Sequence, residues 1–600
     1  MDRAADLLVG YKKKNPFSDS QARDYSDGRI ISEFYPTSHF WTLFNEQHEI
    51  LIGTRGSGKT FLLKMLRYSM LSHIDDPEAI RITREKKFIA LYIPMRMEFV
   101  ASLSLNSLLE EKRMEVFQSA FNFLLTESLL TEVLEILNEI KDNYKRLITD
   151  VRLARDLYKI WFSSTDDSIS DIFSLITKLK SLYYNYDIKS DAKNEIPMVF
   201  KRAICSPLFL ANDIICRALN IEEPPTWLIC IDEAEFSHEI MLKCFNSVFR
   251  SDSKKIALKI ATLPFHYFTY ETLVPGVFAA QNNDFKIKLI DLRADDPDFI
   301  SLTNGICSQR LRECEAIERE VGRLEDFVGM VGKDDQVDYF RAQFGEEAAR
   351  PENIKKGIIA SFPEVRKESA ASYKMQRKTI YDKYAPIYFL RCMYHLTREG
   401  NYKPGWYAGG AMIRKVSQGN PRAYIQIMND LFERARIRKL EPNQQHEVIM
   451  EYAANFCDAT RGLMSFGPTI HDNLTILCEN LHQRTHDGAL VTTGSSFELK
   501  YGRDDEMSFA ESEKWLQLAI AYSRLIVCED VIKNGLRKDT KYALANAYAV
   551  RYWIPMRSGR PVPIKTFNSK IMPYKISMKK FKEGNVIQYS LFCEEDIDDD

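Results

Sequence analysis

The chain has 600 residues, 45% of them hydrophobic and 12% aromatic, with a formal net charge of −2. That length calls for several domains, about three to five, and the composition excludes a disordered chain. A near-neutral balance also excludes a global electrostatic case for nucleic-acid binding, so any such case must be local.

The eleven cysteines are scattered singly without a C-x-x-C pair, and the ten histidines do not join them at metal-ligand spacing. Cys230 and Cys528 sit in apolar runs and read as small buried hydrophobes. A reducing cytosol and no structural metal are therefore expected. Lys12, Lys13 and Lys14 lead into Asn15-Pro16 rather than an apolar stretch, and no run has the length of a membrane span. The expectation is a cytoplasmic protein without a signal peptide.

In chain order, residues 1–45 form an aromatic-rich arm containing Asn15-Pro16-Phe17 and Phe34-Tyr35-Pro36. Short apolar strands are predicted at 49–52, 87–94, 227–231, 256–262 and 285–290, separated by helical segments. This pattern indicates an α/β core, a parallel sheet covered on both faces, assembled from 46–100 and 225–293. Residues 101–224 interrupt it as a helical insertion. There Phe117, Phe121, Leu124, Leu129, Val133, Ile136, Ile140, Tyr144, Leu147, Val151 and Ala154 recur at helical spacing. The stripe suits packing onto the chain's own core, or alternatively a surface for self-assembly or a partner protein. Residues 294–440 read as a charge-rich helical lid. Residues 441–565 read as helices followed by a β-rich end at 541–554, which suits a winged-helix-like domain. A basic and then acidic tail, 566–600, follows.

Between the first strand and a helix opening at Phe61 lies Gly53-Thr54-Arg55-Gly56-Ser57-Gly58-Lys59-Thr60, which fits G-x-x-x-x-G-K-[ST] at every fixed position. Strand, glycine loop and helix is the arrangement in which backbone N–H groups wrap a phosphate at a helix N-terminus. Lys59 would bridge the β- and γ-phosphates of a nucleotide, and the Thr60 hydroxyl would ligate magnesium. The third strand runs into Asp232-Glu233-Ala234-Glu235. Alone, such a pair reads as a solvated loop; beside a phosphate loop, Asp232 suits the magnesium shell and Glu233 the attacking water. Thr262 closes the fourth strand, where a polar side chain can touch the γ-phosphate. In Ser417-Gln418-Gly419-Asn420-Pro421-Arg422, Asn420 is expected to cap a helix opened by Pro421. Arg422 then sits at the positive end of the helix dipole, which makes sense if that end faces an anion.

These four motifs occur in the order found in AAA+ ATPases, and the chain resembles the initiator branch, the origin-recognition ATPases, particularly their bacterial relatives. The resemblance covers about 1–100, 225–300 and 405–435. It implies Walker A roles for Lys59 and Thr60, Walker B roles for Asp232 and Glu233, sensor 1 for Thr262 and sensor 2 for Arg422. It further implies that Pro16 and Phe17 flank an adenine, with ATP and Mg2+ as ligands. Such relatives are ATP-driven, DNA-associated switches, and some belong to bacterial anti-phage systems.

Two departures stand out. Lys59 and Asp232 are unusually far apart, which the insertion accounts for. The stretch from Leu263 to Asp284, the family's usual place for an arginine finger, has no arginine; Arg250 and Arg293 are the nearest. Slow hydrolysis, or a nucleotide-held switch without a ring, follows from this. From Lys533 to Glu583 there are thirteen Lys and Arg against two acids, interleaved with Tyr542, Tyr548, Tyr552, Trp553, Phe567, Tyr574 and Phe581. Residues 533–582 therefore suit phosphate contact and base stacking, or else pair internally with the acidic terminus. The leading expectation is an ATPase coupled to nucleic-acid binding; the alternative is a nucleotide-controlled assembly switch.

Overall fold

The computed structural model describes residues 15–18, 25–102, 110–184, 196–251, 255–312, 328, 335–361, 376–398, 404–435, 440–463, 466–486, 494–501, 506–557, 561–567 and 570–571. Five strands form the first sheet: β1 (Glu49–Ile52), β2 (Phe88–Pro94), β3 (Thr226–Asp232), β4 (Ile256–Thr262) and β5 (Lys286–Leu289). All pair in parallel, in the order β2-β3-β4-β1-β5. Each lies where an apolar run predicts it, to within a residue or two.

Alternation along each strand divides the core in two. Ile50, Ile52, Ile229, Ile231 and Ile260 point into the cluster made with the insertion helices. Leu51, Leu228, Cys230 and Ala261 point the other way, against the helix Lys59–Met65 and the arm residues Ile30, Phe34 and Phe40. Both faces are thus covered, as parallel strands require.

The insertion comprises the helices Glu110–Asn138, Asn143–Phe162, Ile172–Tyr184 and Ser206–Ala218. The first is buried around most of its circumference, so it acts as a core helix. Its buried Asn122 donates to the carbonyls of Phe200, Arg202 and Ala203 and accepts from the Cys205 amide. Phe117, Phe121, Leu129, Val133 and Ile136 from the predicted stripe are buried with the sheet, so most of it packs onto the chain's own core. Tyr144 and Leu147 depart from it: Asp142 caps a new helix at Asn143 and leaves them 75% and 60% exposed.

The stretch 294–440, expected as a lid and called so below, contains among the described residues the helices Pro297–Arg312, Asp335–Ala348, Pro351–Ser361, Gln376–Arg398, Gly410–Ser417 and Pro421–Ala435. Beyond it, a second sheet is built from β6 (Ser496–Lys500), β7 (Leu525–Ile526), β8 (Lys541–Leu544), β9 (Val562–Phe567) and β10 (Lys570–Ile571), in the order β10-β9-β6-β8-β7. The β-rich end expected at 541–554 is corrected here: only Lys541–Leu544 is strand, and Asn546–Arg551 is helix. The Asn546 amide donates to Gln418 Oε1 and its side chain to the Lys415 carbonyl, which ends the strand and ties this domain to the lid. Cys528, expected inside, is exposed. Among the described residues no helix is long and apolar enough to cross a membrane.

Glu132 joins the insertion to the core by accepting from the Ser69 amide at 2.8 Å and the Ser69 hydroxyl at 2.9 Å. Burial pushes its carboxyl up to about 7. Because the folded state holds this proton more tightly, the contribution to stability falls as pH rises from the unfolded value through 7. The stability gained by Glu132→Gln over wild type should therefore grow between pH 5 and 8 in urea titrations. A difference independent of pH would contradict the assignment.

Candidate nucleotide site

The carboxyl ends of β1, β3, β4 and β5 converge on one cavity of about 380 Å³. Its polar lining includes residues 55–60, Asp232, Glu233, Glu235, Arg422, Glu33 and Arg310. Phe34, Tyr35, Leu292, Leu302, Ile306 and Ile425 are among its apolar lining. Open α/β sheets place ligands at this edge, where strand order reverses.

The loop from Gly53 to Gly58 needs its glycines for specific reasons. Gly56 and Gly58 both hold φ of +92°, where an L side chain is strained. A Cβ on Gly56 would lie 2.7 Å from Asn420 Oδ1, and one on Gly53 would lie 2.6 Å from Ser57 Oγ. Gly58 caps the helix Lys59–Met65, whose N-terminal amides face the cavity. Lys59 is buried and donates from Nζ to the Gly53 carbonyl at 2.6 Å and the Thr54 carbonyl at 3.0 Å. Burial lowers its pKa, opposed by Glu235, Asp291 and Asp232.

Asp232 lies at the end of β3, 2% exposed, and accepts from the Tyr92 hydroxyl at 2.8 Å and the Glu233 amide at 2.9 Å. Glu233 holds φ of 58°, a sparsely populated conformation that turns the chain sharply after the strand. Thr262 pairs in register with Ile52 of β1 and is fully buried. Its Oγ1 has no hydrogen-bond partner among the described residues. A buried hydroxyl left so is costly unless a ligand satisfies it.

The lid completes the site. Asn420 accepts from the Ala423 amide as the cap of the helix Pro421–Ala435 and donates to the Arg55 carbonyl at 2.9 Å. The Arg422 amide donates to the Gly56 carbonyl at 3.4 Å, so the start of this helix abuts the phosphate loop. Gly419 permits this approach: a Cβ there would meet the Leu292 carbonyl oxygen at 1.9 Å.

Pro16 and Phe17 do not line the cavity. Phe17 is fully buried in the lid core near Phe432, and the Pro16 carbonyl accepts from Arg310. Phe34 and Tyr35 line the cavity instead, with Tyr35 packed on Gly305, where a Cβ would lie 2.3 Å from its ring. Phe17 thus serves packing, and the pair nearer β1 lines the cavity.

Two functional candidates carried no sequence signal. Asp291, two residues past β5, is partly buried and accepts from the Thr54 amide at 2.9 and 3.0 Å and from its hydroxyl at 2.9 Å. Burial raises its pKa and nearby Lys59 opposes this. Glu235 lines the cavity, its Oε2 has no partner among the described residues, and burial pushes its carboxyl up to about 7. An inward lysine, lining carboxylates and a glycine cradle fit a Mg–nucleoside triphosphate.

Gly56→Ala should weaken nucleotide binding by at least about tenfold while leaving the far-ultraviolet circular dichroism unchanged. Undiminished affinity would contradict the abutment of loop and lid.

A search among curated proteins finds no match. The model of the ORC-CDC6-like family matches residues 15–564, nearly the whole chain. The chain therefore belongs to the ORC-CDC6-like family, with the parallel-sheet core of an AAA+ ATPase.

Proposed function

We propose that this protein binds and slowly hydrolyses Mg-ATP and couples nucleotide state to nucleic-acid association. The observation that carries the reading is the buried Lys59 in a cavity lined also by residues 55–60, Asp232 and Glu233; the unpartnered Thr262 hydroxyl lies one residue before Leu263, which also lines it. In this reading the residues 53–60 wrap the phosphates, and Lys59 exchanges its loop carbonyls for phosphate oxygens. Glu233 accepts the proton of the attacking water, Thr262 orients that water, and Arg422 neutralises charge from the lid side. The Thr60 hydroxyl and the Asp232 carboxylate would hold magnesium, which supplies Lewis-acid neutralisation of the phosphates when bound. Tyr92 keeps Asp232 oriented, and the rings of Phe34 and Tyr35 in the lining suit a purine.

Slow turnover rests on the arginines. Arg250 donates to the Phe278 carbonyl at 2.8 Å, and Arg293 lies 3.4 Å from Asp295, so both make contacts within their own chain. Exposed Tyr144, Leu147 and Ile148 on the insertion favour a second reading, a nucleotide-controlled assembly switch that recruits a protein partner.

For nucleic acid, the support lies on the outer face of the second sheet. Phe497, Leu499, Tyr542, Leu544, Val562 and Ile564 point into the domain core. Lys500, Lys541, Lys565 and Lys570 are exposed, and Lys500 sits in register with Lys565. Base stacking by Tyr542, Tyr548 and Trp553 is corrected: all three are buried in cores and cannot meet a base. Arg551 lies 3.6 Å from Asp458. Arg560, Tyr574, Phe581 and the acidic terminus lie outside the described residues.

Glu233→Gln should retain ATP binding in calorimetry and lose at least about a hundredfold in phosphate release; unchanged turnover would remove Glu233 from the chemistry. Lys541→Glu with Lys565→Glu should weaken duplex DNA binding about tenfold or more and flatten its salt dependence. Unaltered binding, or elution as a larger assembly with ATP and no DNA affinity, would favour the assembly switch.

A further inference from the structure

The phosphate loop is bonded directly to the C-terminal domain. The helix Glu506–Ala521 ends in a left-handed turn at Ser523, φ 59°. Its last carbonyls are partly satisfied locally: the Ser523 amide donates to Ile520 and the Arg524 amide to Ala519. Arg524 also donates from Nη1 to the Tyr522 carbonyl at 2.9 Å. The Ala521 carbonyl is bonded from outside the domain, by the Arg55 amide at 3.0 Å. The Arg55 side chain follows the same direction. Its Nη1 donates to the Tyr522 hydroxyl at 3.3 Å, and its guanidinium lies 5.4 Å from the centre of that ring. The backbone of Arg55 thus holds the helix end while its guanidinium rests against the ring of the residue just past it.

The other backbone group of the same residue belongs to the lid, because the Arg55 carbonyl accepts from Asn420. A second link runs in parallel. Leu263, next to Thr262, is buried in the C-terminal core and also lines the cavity. Phe265 follows with φ of 65°, turning the chain into that domain.

We propose that Arg55 is a latch between nucleotide and C-terminal domain, released when a triphosphate enters the cavity it lines. The inference rests on the reading of the loop as a nucleotide site and adds what that site controls. Two partners compete for one guanidinium: the ring and hydroxyl of Tyr522, and the full charges of the phosphates. Nucleotide binding then loosens the C-terminal domain without passing through the lid. By reciprocity, a C-terminal domain already unlatched leaves the loop readier for nucleotide.

Hydrogen exchange of backbone amides 519–526 in the full chain, with and without saturating Mg–ATPγS, tests this alongside calorimetry. Wild type should exchange faster by roughly fivefold or more with nucleotide bound. Tyr522→Ala should exchange fast in both conditions and bind Mg–ATPγS more tightly by a similar factor, an effect that mere destabilisation would not give. Tyr522→Phe, which keeps the ring and the Ala521 bond, should fall between the two and guards against misfolding of the alanine variant. Nucleotide binding without any change in these amides, or with slower exchange, would overturn the latch alone. No nucleotide binding in wild type would overturn both the latch and the site reading.

Discussion

The restraint of one short loop organises this molecule. Each residue from Gly53 to Gly56 is held from elsewhere in the chain: the Gly53 amide by β4, Thr54 by Asp291 after β5, Arg55 by the C-terminal domain and by Asn420, and Gly56 by Arg422 of the same helix start. Lys59 closes the ring from inside. A loop held so is preorganised, which is where phosphoryl-transfer proteins gain most of their catalytic advantage. It is also a point through which distant domains share free energy.

That restraint explains why the fold tolerates a large insertion. The insertion helices cover the sheet face built from Ile50, Ile52, Ile229 and Ile260, whereas the loop's helix and the arm cover the opposite face. Residues 101–224 therefore lengthen the chain between Lys59 and Asp232 without separating them in space. Asn122 and Glu132 are buried polar groups, and their several hydrogen bonds to other segments fix the long helix in one register.

Much of this was legible in the chain. Short apolar runs mark all five core strands because both faces of a parallel sheet are buried, and the cap at Asn420 is announced by Pro421. What was not legible depends on long-range pairing. Asp291 sits among other acidic residues in a loop, and nothing local distinguishes it before β5 is laid beside β1. The bond from Arg55 to Ala521 joins positions far apart in sequence. The segment 541–554 misled because alternating alanine and aromatic residues suit a strand, whereas tertiary bonds to Asn546 start a helix. Tyr542 and Tyr548 misled similarly: an aromatic among lysines reads as a stacking platform until the sheet turns it inward.

Titration calorimetry of the full chain with Mg-ATP bears most directly on the central claim, which is that residues 53–60 hold a triphosphate against Asp232 and Thr262. The account predicts saturable binding with a dissociation constant between about 1 μM and 1 mM, lost in Lys59→Ala. Heats that match buffer dilution at millimolar nucleotide, in protein shown to be folded, would contradict it.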